Sequence, residues 1–137
     1  MGPLVTYLNF DGTCRDAMTF YQSCFAADLQ LTTFADMPGS PVPDAIKHRI
    51  MHARLSKGPV TLMASDTFPG SPLTPGTNFS ISVHPESAAE LDAIWTALSH
   101  NATITQPLMD APWGARFGML TDQFGIQWMF NYEHPRQ

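Results

Sequence analysis

The sequence has little charge and no cluster of basic residues. Only 14% of its 137 residues are charged, and the seven Lys and Arg residues are scattered through a chain whose net charge is -5. A nucleic-acid partner or an anionic membrane is therefore not expected. No apolar run approaches the roughly 20 residues of a membrane span. The first ten residues lack the basic region and cleavage site of a signal peptide, so the sequence predicts a cytoplasmic protein.

Cysteine is also scarce, with only Cys14 and Cys24. Both fall in one predicted helix, where ten residues span about 15 Å along the axis. A disulfide needs Cα atoms within about 7 Å, so these two residues cannot pair with each other. We expect buried, reduced thiols, which agrees with a cytoplasmic location.

The chain is not short of hydrophobic residues, at 44%, and their spacing predicts an ordered first half. Period-two patterns predict strands at residues 4–10, 29–34, 49–55 and 60–65. Apolar residues three and four positions apart predict a helix over residues 14–27, and Thr13 with Asp16 resembles a capping box at its start. Residues 35–47 hold three prolines and one glycine, and are predicted to be a loop with a short turn at residues 44–46.

The same order returns after a Pro/Gly-rich linker at residues 67–76. A strand is predicted at residues 78–83, a helix from His84-Pro85-Glu86 to a left-handed Asn101, and a strand at residues 103–108. A hairpin follows, with an apolar run at 117–120, a turn from Asp122 to Gly125 and an alternating strand at 126–131. The fold class is therefore α+β, a single domain of tandem βαβββ modules at residues 3–66 and 77–133.

Short motifs along the whole chain resemble those of a known family. They are Tyr7-Leu8-Asn9-Phe10-Asp11-Gly12, Phe20-Tyr21, Met51-His52-Ala53, Leu62-Met63-Ala64-Ser65-Asp66, Trp113-Gly114, Phe117-Gly118, Asp122-Gln123-Phe124-Gly125-Ile126 and Trp128-Met129. With the βαβββ order, they resemble the PhnB-like (3-demethylubiquinone-9 3-methyltransferase-like) group. This group belongs to the vicinal oxygen chelate superfamily of glyoxalase I, extradiol dioxygenases and fosfomycin- and bleomycin-resistance proteins. The resemblance implies a curled, cup-like mixed sheet in each half and one concave site, commonly across a homodimer.

Metal-using members of that superfamily take His, Glu or Gln ligands from four inward strand positions. Aligned by the flanking motifs to within about one residue, these positions fall at Val5, Met63, Asn78 and Met129, or, after a shift of one residue, at Thr6, Leu62, Phe79 and Trp128. Such side chains do not suit a hard divalent cation. The sequence therefore predicts that the usual metal site is lost, and no cofactor is expected.

The alternation of the strands, with the resemblance, assigns a lining to the cup. The lining combines apolar and thioether groups with hydroxyls and amides, and it suits a small ligand of mixed polarity. The alternative is an ordinary solvated sheet face, which can have the same composition. Trp113 could be an aromatic wall or a dimer contact. The candidate ligand-binding residues are Tyr7, Asn9, Met63, Ser65, Asn78, Ser80, Trp113, Phe117, Gln127 and Met129.

Two residues are candidates for catalysis. His52 could be a general acid or base at the cup mouth, or simply a hydrogen-bonded histidine on a sheet face. Asp66 could meet a substrate, or hold a loop by accepting backbone N–H bonds. Two functions are therefore the main alternatives, and a dimeric interaction module with a vestigial pocket is a weaker third. One is a metal-free, homodimeric small-molecule-binding protein, and the other is an isomerase, lyase or transferase that uses His52 or a relocated metal.

Overall fold

The computed structural model describes residues 1–36, 42–68 and 70–134. The chain divides into two compact units, Met1–Thr74 and Pro75–Gln137. Each unit contains one α-helix and a four-stranded sheet of mixed parallel and antiparallel strands, in the chain order β-α-β-β-β. The predicted α+β class with repeated βαβββ modules is confirmed. No helix among the described residues is long and apolar enough to cross a membrane.

The first unit builds its sheet from β1 (Thr6–Phe10), β2 (Asp28–Thr33), β3 (Ile50–Lys57) and β4 (Val60–Asp66). The strand order is β1-β4-β3-β2, with β1 parallel to β4 and the other pairs antiparallel. Short 3-10 helices cover Phe34–Asp36 and Asp44–Ile46, the second at the predicted turn. Residues 37–41 of the predicted loop lie outside the described residues.

Helix α1 (Cys14–Phe25) follows the predicted apolar stripe but differs at both ends. It stops two residues early because Ala26 takes the left-handed conformation, with φ 51°. The predicted capping box is wrong, since the side chain of the N-cap residue Thr13 makes no capping hydrogen bond. A residue distant in sequence takes that role instead. The stripe that packs on the sheet is Cys14, Ala17, Met18, Tyr21 and Cys24, all buried.

The second unit contains β5 (Ile81–Val83), α2 (Ala88–Leu98), β6 (Thr103–Ala111), β7 (Ala115–Thr121) and β8 (Gln127–Glu133). Its strand order is β5-β8-β7-β6. The predicted strand at 78–83 begins only at residue 81, and the predicted strand at 103–108 extends to residue 111.

The ends of α2 also differ from the prediction. The helix begins after Ser87 rather than at residues 84–86, because the Ser87 hydroxyl accepts the Glu90 N–H at 3.1 Å. The Glu90 carboxylate in turn accepts the N–H of Glu86, the residue before the N-cap, so it reaches one residue beyond a standard capping box. Asn101 is left-handed as predicted, with φ 56°, but lies three residues beyond the last helical residue.

The predicted hairpin turn between β7 and β8 is confirmed. The Gly125 N–H donates to the Asp122 carbonyl at 3.0 Å, and Gly125 has φ 87°. The Asp122 Oδ1 atom also accepts the backbone N–H groups of Phe124 and Ile126. Glycine suits this position because a left-handed conformation costs it no steric clash.

Candidate functional site

In each unit the helix covers one sheet face and leaves the other face open. In the first unit, α1 packs against the face that carries buried Leu8, Ala53 and Leu55. Since side chains alternate along a strand, the intervening residues point to the opposite face. We call this the first open face, formed by Tyr7, Asn9, Gln30, His52, Arg54, Met63 and Ser65.

The strand register sets the neighbours on the first open face. Met63 on β4 lies opposite Tyr7 on β1 and opposite Arg54 on β3, so these three residues form one row across the sheet. Asn9 lies opposite Ser65 in the same parallel pair. The structure therefore brings together the five residues of this unit that the sequence assigned to a ligand site or a general acid or base, with Met63 near their centre.

Tyr7 and His52 form a bridge over the first open face. The Tyr7 hydroxyl and His52 Nδ1 share a hydrogen bond of 3.2 Å, and their ring centroids are 5.9 Å apart. Because β4 lies between β1 and β3 in the sheet, this bond crosses above β4. His52 is thus a hydrogen-bonded histidine on a sheet face, which was one of the two interpretations drawn from the sequence. The bond orients its ring and leaves Nε2 as the nitrogen that a ligand can use.

Asp66 is buried, at 5% exposure, and lies at the end of β4. Its Oδ1 atom accepts the N–H groups of Gly12 at 2.8 Å and Cys14 at 3.0 Å. Its Oδ2 atom accepts the Ile50 N–H at 2.8 Å. One carboxylate thereby fastens the loop after β1, the start of α1 and the start of β3. This geometry favours the structural interpretation of Asp66 over contact with a substrate.

The same carboxylate influences the chemistry of Cys14. Burial, and second the negative charge of Asp66, raise the pKa of the Cys14 thiol to about 12. Neither Cys14 nor Cys24 forms a disulfide within the described residues, and both are buried. A thiol with so high a pKa is a poor nucleophile near neutral pH, because the thiolate is the reactive form.

The second unit has an equivalent surface, the second open face, formed by Phe117, Met119, Gln127, Met129 and Asn131. Met119 on β7 is the direct partner of Met129 on β8, and Phe117 is the partner of Asn131. Two thioethers and an aromatic ring therefore lie beside two amide side chains. Gln127 donates to the Gly76 carbonyl at 3.2 Å, which ties the preceding segment to β8.

Trp113 lies in the turn between β6 and β7 and contacts the second open face. Its indole N–H donates to the Asn131 side-chain oxygen at 3.1 Å, and its ring meets that of Phe117 edge to face at 5.7 Å. The side chain is nevertheless 63% exposed. An anchored but exposed indole of this kind presents a flat apolar surface to a ligand.

Two candidates fall outside the observed strand β5, although the predicted strand included them. Asn78 and Ser80 precede β5, which begins at Ile81, so strand alternation does not determine where their side chains point. Asn78 is exposed and Ser80 is half-buried. Within β5 it is Ser82 that lies opposite Met129.

The four residues that were aligned with the superfamily's metal positions do not fit a hard divalent ion. Val5 precedes β1 and is 37% exposed, Met63 and Met129 lie within strands, and Asn78 precedes β5. Only the Asn78 amide offers an oxygen ligand, whereas such ions prefer several oxygen ligands or imidazole. Within residues 1–36, 42–68 and 70–134, no group of three or more His, Cys, Asp or Glu is placed to hold a metal ion.

Sequence reasoning missed Arg54. It follows His52 by two residues in β3, so strand alternation places it on the same face. It lies opposite Gln30 on β2 as well as opposite Met63 on β4. The alternation of side chains along β3, which places residues 52 and 54 on one face, could have identified Arg54 from the sequence.

The sequence model of a protein family described as 3-demethylubiquinone-9 3-methyltransferase matches residues 3–130. The chain belongs to this family. The resemblance to the PhnB-like group drawn from the short motifs is thereby confirmed. Protein YjdN of Escherichia coli (strain K12) is similar, with 29% identity over 142 residues and 94% of each chain covered.

Solved structures agree with this assignment. Protein PA1353 from Pseudomonas aeruginosa is 38% identical, with a TM-score of 0.88 over 98% of this chain and 100% of that one. The PhnB protein from Bacillus cereus is 25% identical, with a TM-score of 0.77 over 96% and 99%. A glyoxalase/bleomycin resistance protein/dioxygenase family enzyme from Burkholderia phytofirmans shares the fold at 16% identity, with a TM-score of 0.62 over 94% and 98%.

Proposed function

We propose that this chain is a small-molecule-binding protein of the PhnB-like family that works without a divalent metal at the family positions. The proposal rests on one observation. Aromatic and thioether side chains stay exposed or half-buried on both open faces, beside hydroxyl and amide groups that are already oriented by hydrogen bonds. Ligand sites typically combine a mostly apolar wall with a few fixed polar groups in this way.

Methyl transfer, which the family description names, is not part of the proposal. A Rossmann-type methyltransferase holds its cofactor at a glycine-rich turn between a strand and a helix. The turn between β1 and α1 has one glycine, Gly12, whose N–H donates to Asp66. The N–H of Cys14, in the first turn of α1, donates to the same carboxylate.

Intrinsic fluorescence offers a direct test of binding. Of the three tryptophans, Trp128 is 2% exposed and Trp95 packs edge to face on Phe130, with ring centroids 5.1 Å apart. Trp113 is the exposed one. Titration with benzamide should therefore change the fluorescence of the natural chain and of Trp95→Phe, and calorimetry should detect heat of binding with benzamide and with benzoate. The change should be lost in Trp113→Phe, and calorimetry should report weaker benzamide binding by that variant.

Several outcomes of these measurements would contradict the proposal. Absence of heat and of fluorescence change with both compounds would contradict small-molecule binding of this class. Binding that is unaltered in Trp113→Phe would remove the second open face from the proposal. Elemental analysis should detect no stoichiometric divalent metal in protein purified without chelator. A stoichiometric metal that disappears in His52→Ala would favour an enzyme with a relocated metal instead.

The assembly and location belong to the same proposal. We expect a cytoplasmic homodimer, as the family resemblance implies. Light scattering of the purified chain, at a calculated monomer mass of 15.1 kDa, measures the assembly directly. A monomeric mass over the whole accessible concentration range would contradict the dimer.

A further inference from the structure

Arg54 differs from the other described cationic side chains. Arg15, Lys47, Arg49, Lys57 and Arg116 each make a hydrogen bond or an ion pair. Arg54 makes neither with any residue of the described ranges 1–36, 42–68 and 70–134. It is exposed, and it belongs to the first open face. The sheet thus presents a positive charge that no carboxylate of the described residues neutralises directly.

The neighbours of Arg54 define a small area. Tyr7, Met63 and Arg54 lie in one row on three adjacent strands, so the outer two Cα atoms are separated by about 10 Å. His52 precedes Arg54 by two residues, about 7 Å along β3. Met63 therefore lies between a guanidinium on one side and the Tyr7–His52 bridge on the other.

One carboxylate shares this face. Asp28 on β2 lies opposite Ser56, whereas the direct partner of Arg54 is the neutral amide of Gln30. Asp28 is thus diagonal to Arg54, at about 7–8 Å between Cα atoms, and no ion pair joins them. The direct neighbours of Arg54 across the sheet are an amide and a thioether, which leaves the guanidinium available to an external anion.

We propose that the first open face binds a small organic carboxylate, with Arg54 as the residue that recognises the charge. A planar guanidinium matches a carboxylate through two parallel N–H bonds. Met63 and the Tyr7 ring contact the apolar body of the ligand, and the His52 ring offers a second polar contact. This inference rests on the proposed small-molecule function and adds the chemical class of the ligand.

Benzoate and benzamide form a matched pair of probes because they have the same size and differ in charge. Calorimetry should show benzoate binding about tenfold or more tightly than benzamide, which is the effect of one charge-assisted contact. Arg54→Gln should remove this preference, and Arg54→Lys should retain part of it. Arg15→Gln is the control, because Arg15 lies on α1 and contacts the His48 carbonyl. NMR of the Arg54 Nε–Hε group should show a shift with benzoate.

The outcomes separate this inference from the proposed function. Equal binding of the two probes by the natural chain, or full benzoate affinity in Arg54→Gln, overturns the carboxylate assignment and leaves small-molecule binding intact. Failure of both probes to bind overturns the proposed function and this inference together. Because Arg54 is exposed and makes no bond within the described chain, its replacement by Gln should leave folding unchanged. Circular dichroism checks this point.

Discussion

Replacement of Asp66 by Asn tests the structural role that the geometry gives to this carboxylate. The native side chain is 5% exposed and accepts three backbone N–H bonds, from Gly12, Cys14 and Ile50. An Asn side chain has one acceptor oxygen and one NH₂ donor. If the oxygen stays with Gly12 and Cys14, the NH₂ group faces the Ile50 N–H, and two donors oppose each other.

The magnitude follows from these bonds. An unsatisfied buried N–H group costs about 1–3 kcal/mol, and a hydrogen bond to a charged acceptor is about twice as strong as one to a neutral acceptor. Replacing a buried charge by a neutral amide recovers part of this loss, since desolvation of the charge is avoided. We expect the free energy of unfolding to fall by about 2–4 kcal/mol in Asp66→Asn.

Urea denaturation followed by circular dichroism measures the change. Asp28→Asn is a matched control, because Asp28 is exposed and its replacement should change stability by less than about 0.5 kcal/mol. The reasoning is refuted if Asp66→Asn unfolds at the same urea concentration as the natural chain. If Asp66→Asn is as stable as the natural chain but no longer binds benzoate, Asp66 instead belongs to the ligand site.

Two further predictions concern packing and thiol chemistry. A Cβ atom on Gly118 would lie 2.9 Å from the Trp95 ring, so Gly118→Ala should lower the free energy of unfolding by about 1–3 kcal/mol, measured by thermal denaturation. Gly2→Ala is the control and should have no effect, because a Cβ atom on Gly2 meets no atom within 4 Å. Equal stability of Gly118→Ala and the natural chain would contradict this account. Because burial raises the pKa of Cys14 from 9.0 to about 12, its thiol should resist Ellman's reagent at pH 8 until urea exposes it. Stability should also fall as the pH rises from 9 toward 12, more steeply than in Cys14→Ala; reaction of Cys14 in the native state would contradict the burial argument.

Short-range patterns explain where prediction from the sequence succeeded. The α1 stripe and the turn from Asp122 to Gly125 depend on residues within a few positions of one another, and both have the predicted form. The predicted start of β5 and the predicted end of β6 were wrong. The ends of these strands depend on their pairing with β8 and β7. The capping box at Thr13 failed for a similar reason. The bonds to the start of α1 come from Asp66, more than 50 residues away.

The candidate site divides in the same way. Strand alternation places Tyr7 and Asn9 on one face of β1, and Met63 and Ser65 on one face of β4. Alternation alone does not say which strands are neighbours. The bond from Tyr7 to His52 across β4 depends on the order β1-β4-β3, which the chain adopts only when folded.

The sequence by itself determined the α+β class, the repeated βαβββ order and the family, because periodicity, turn residues and short motifs are local properties of the chain. The alignment of Val5, Met63, Asn78 and Met129 with the superfamily's metal positions rests on the resemblance and stays a prediction. Only the tertiary structure decided that the Asp66 carboxylate accepts three backbone N–H groups and that Arg54 stands beside Met63, with no counter-ion from the described part of the chain. The Asp66 bonds to Gly12 and Cys14 join residues more than 50 positions apart, and the register that pairs Arg54 with Met63 exists only in the folded sheet.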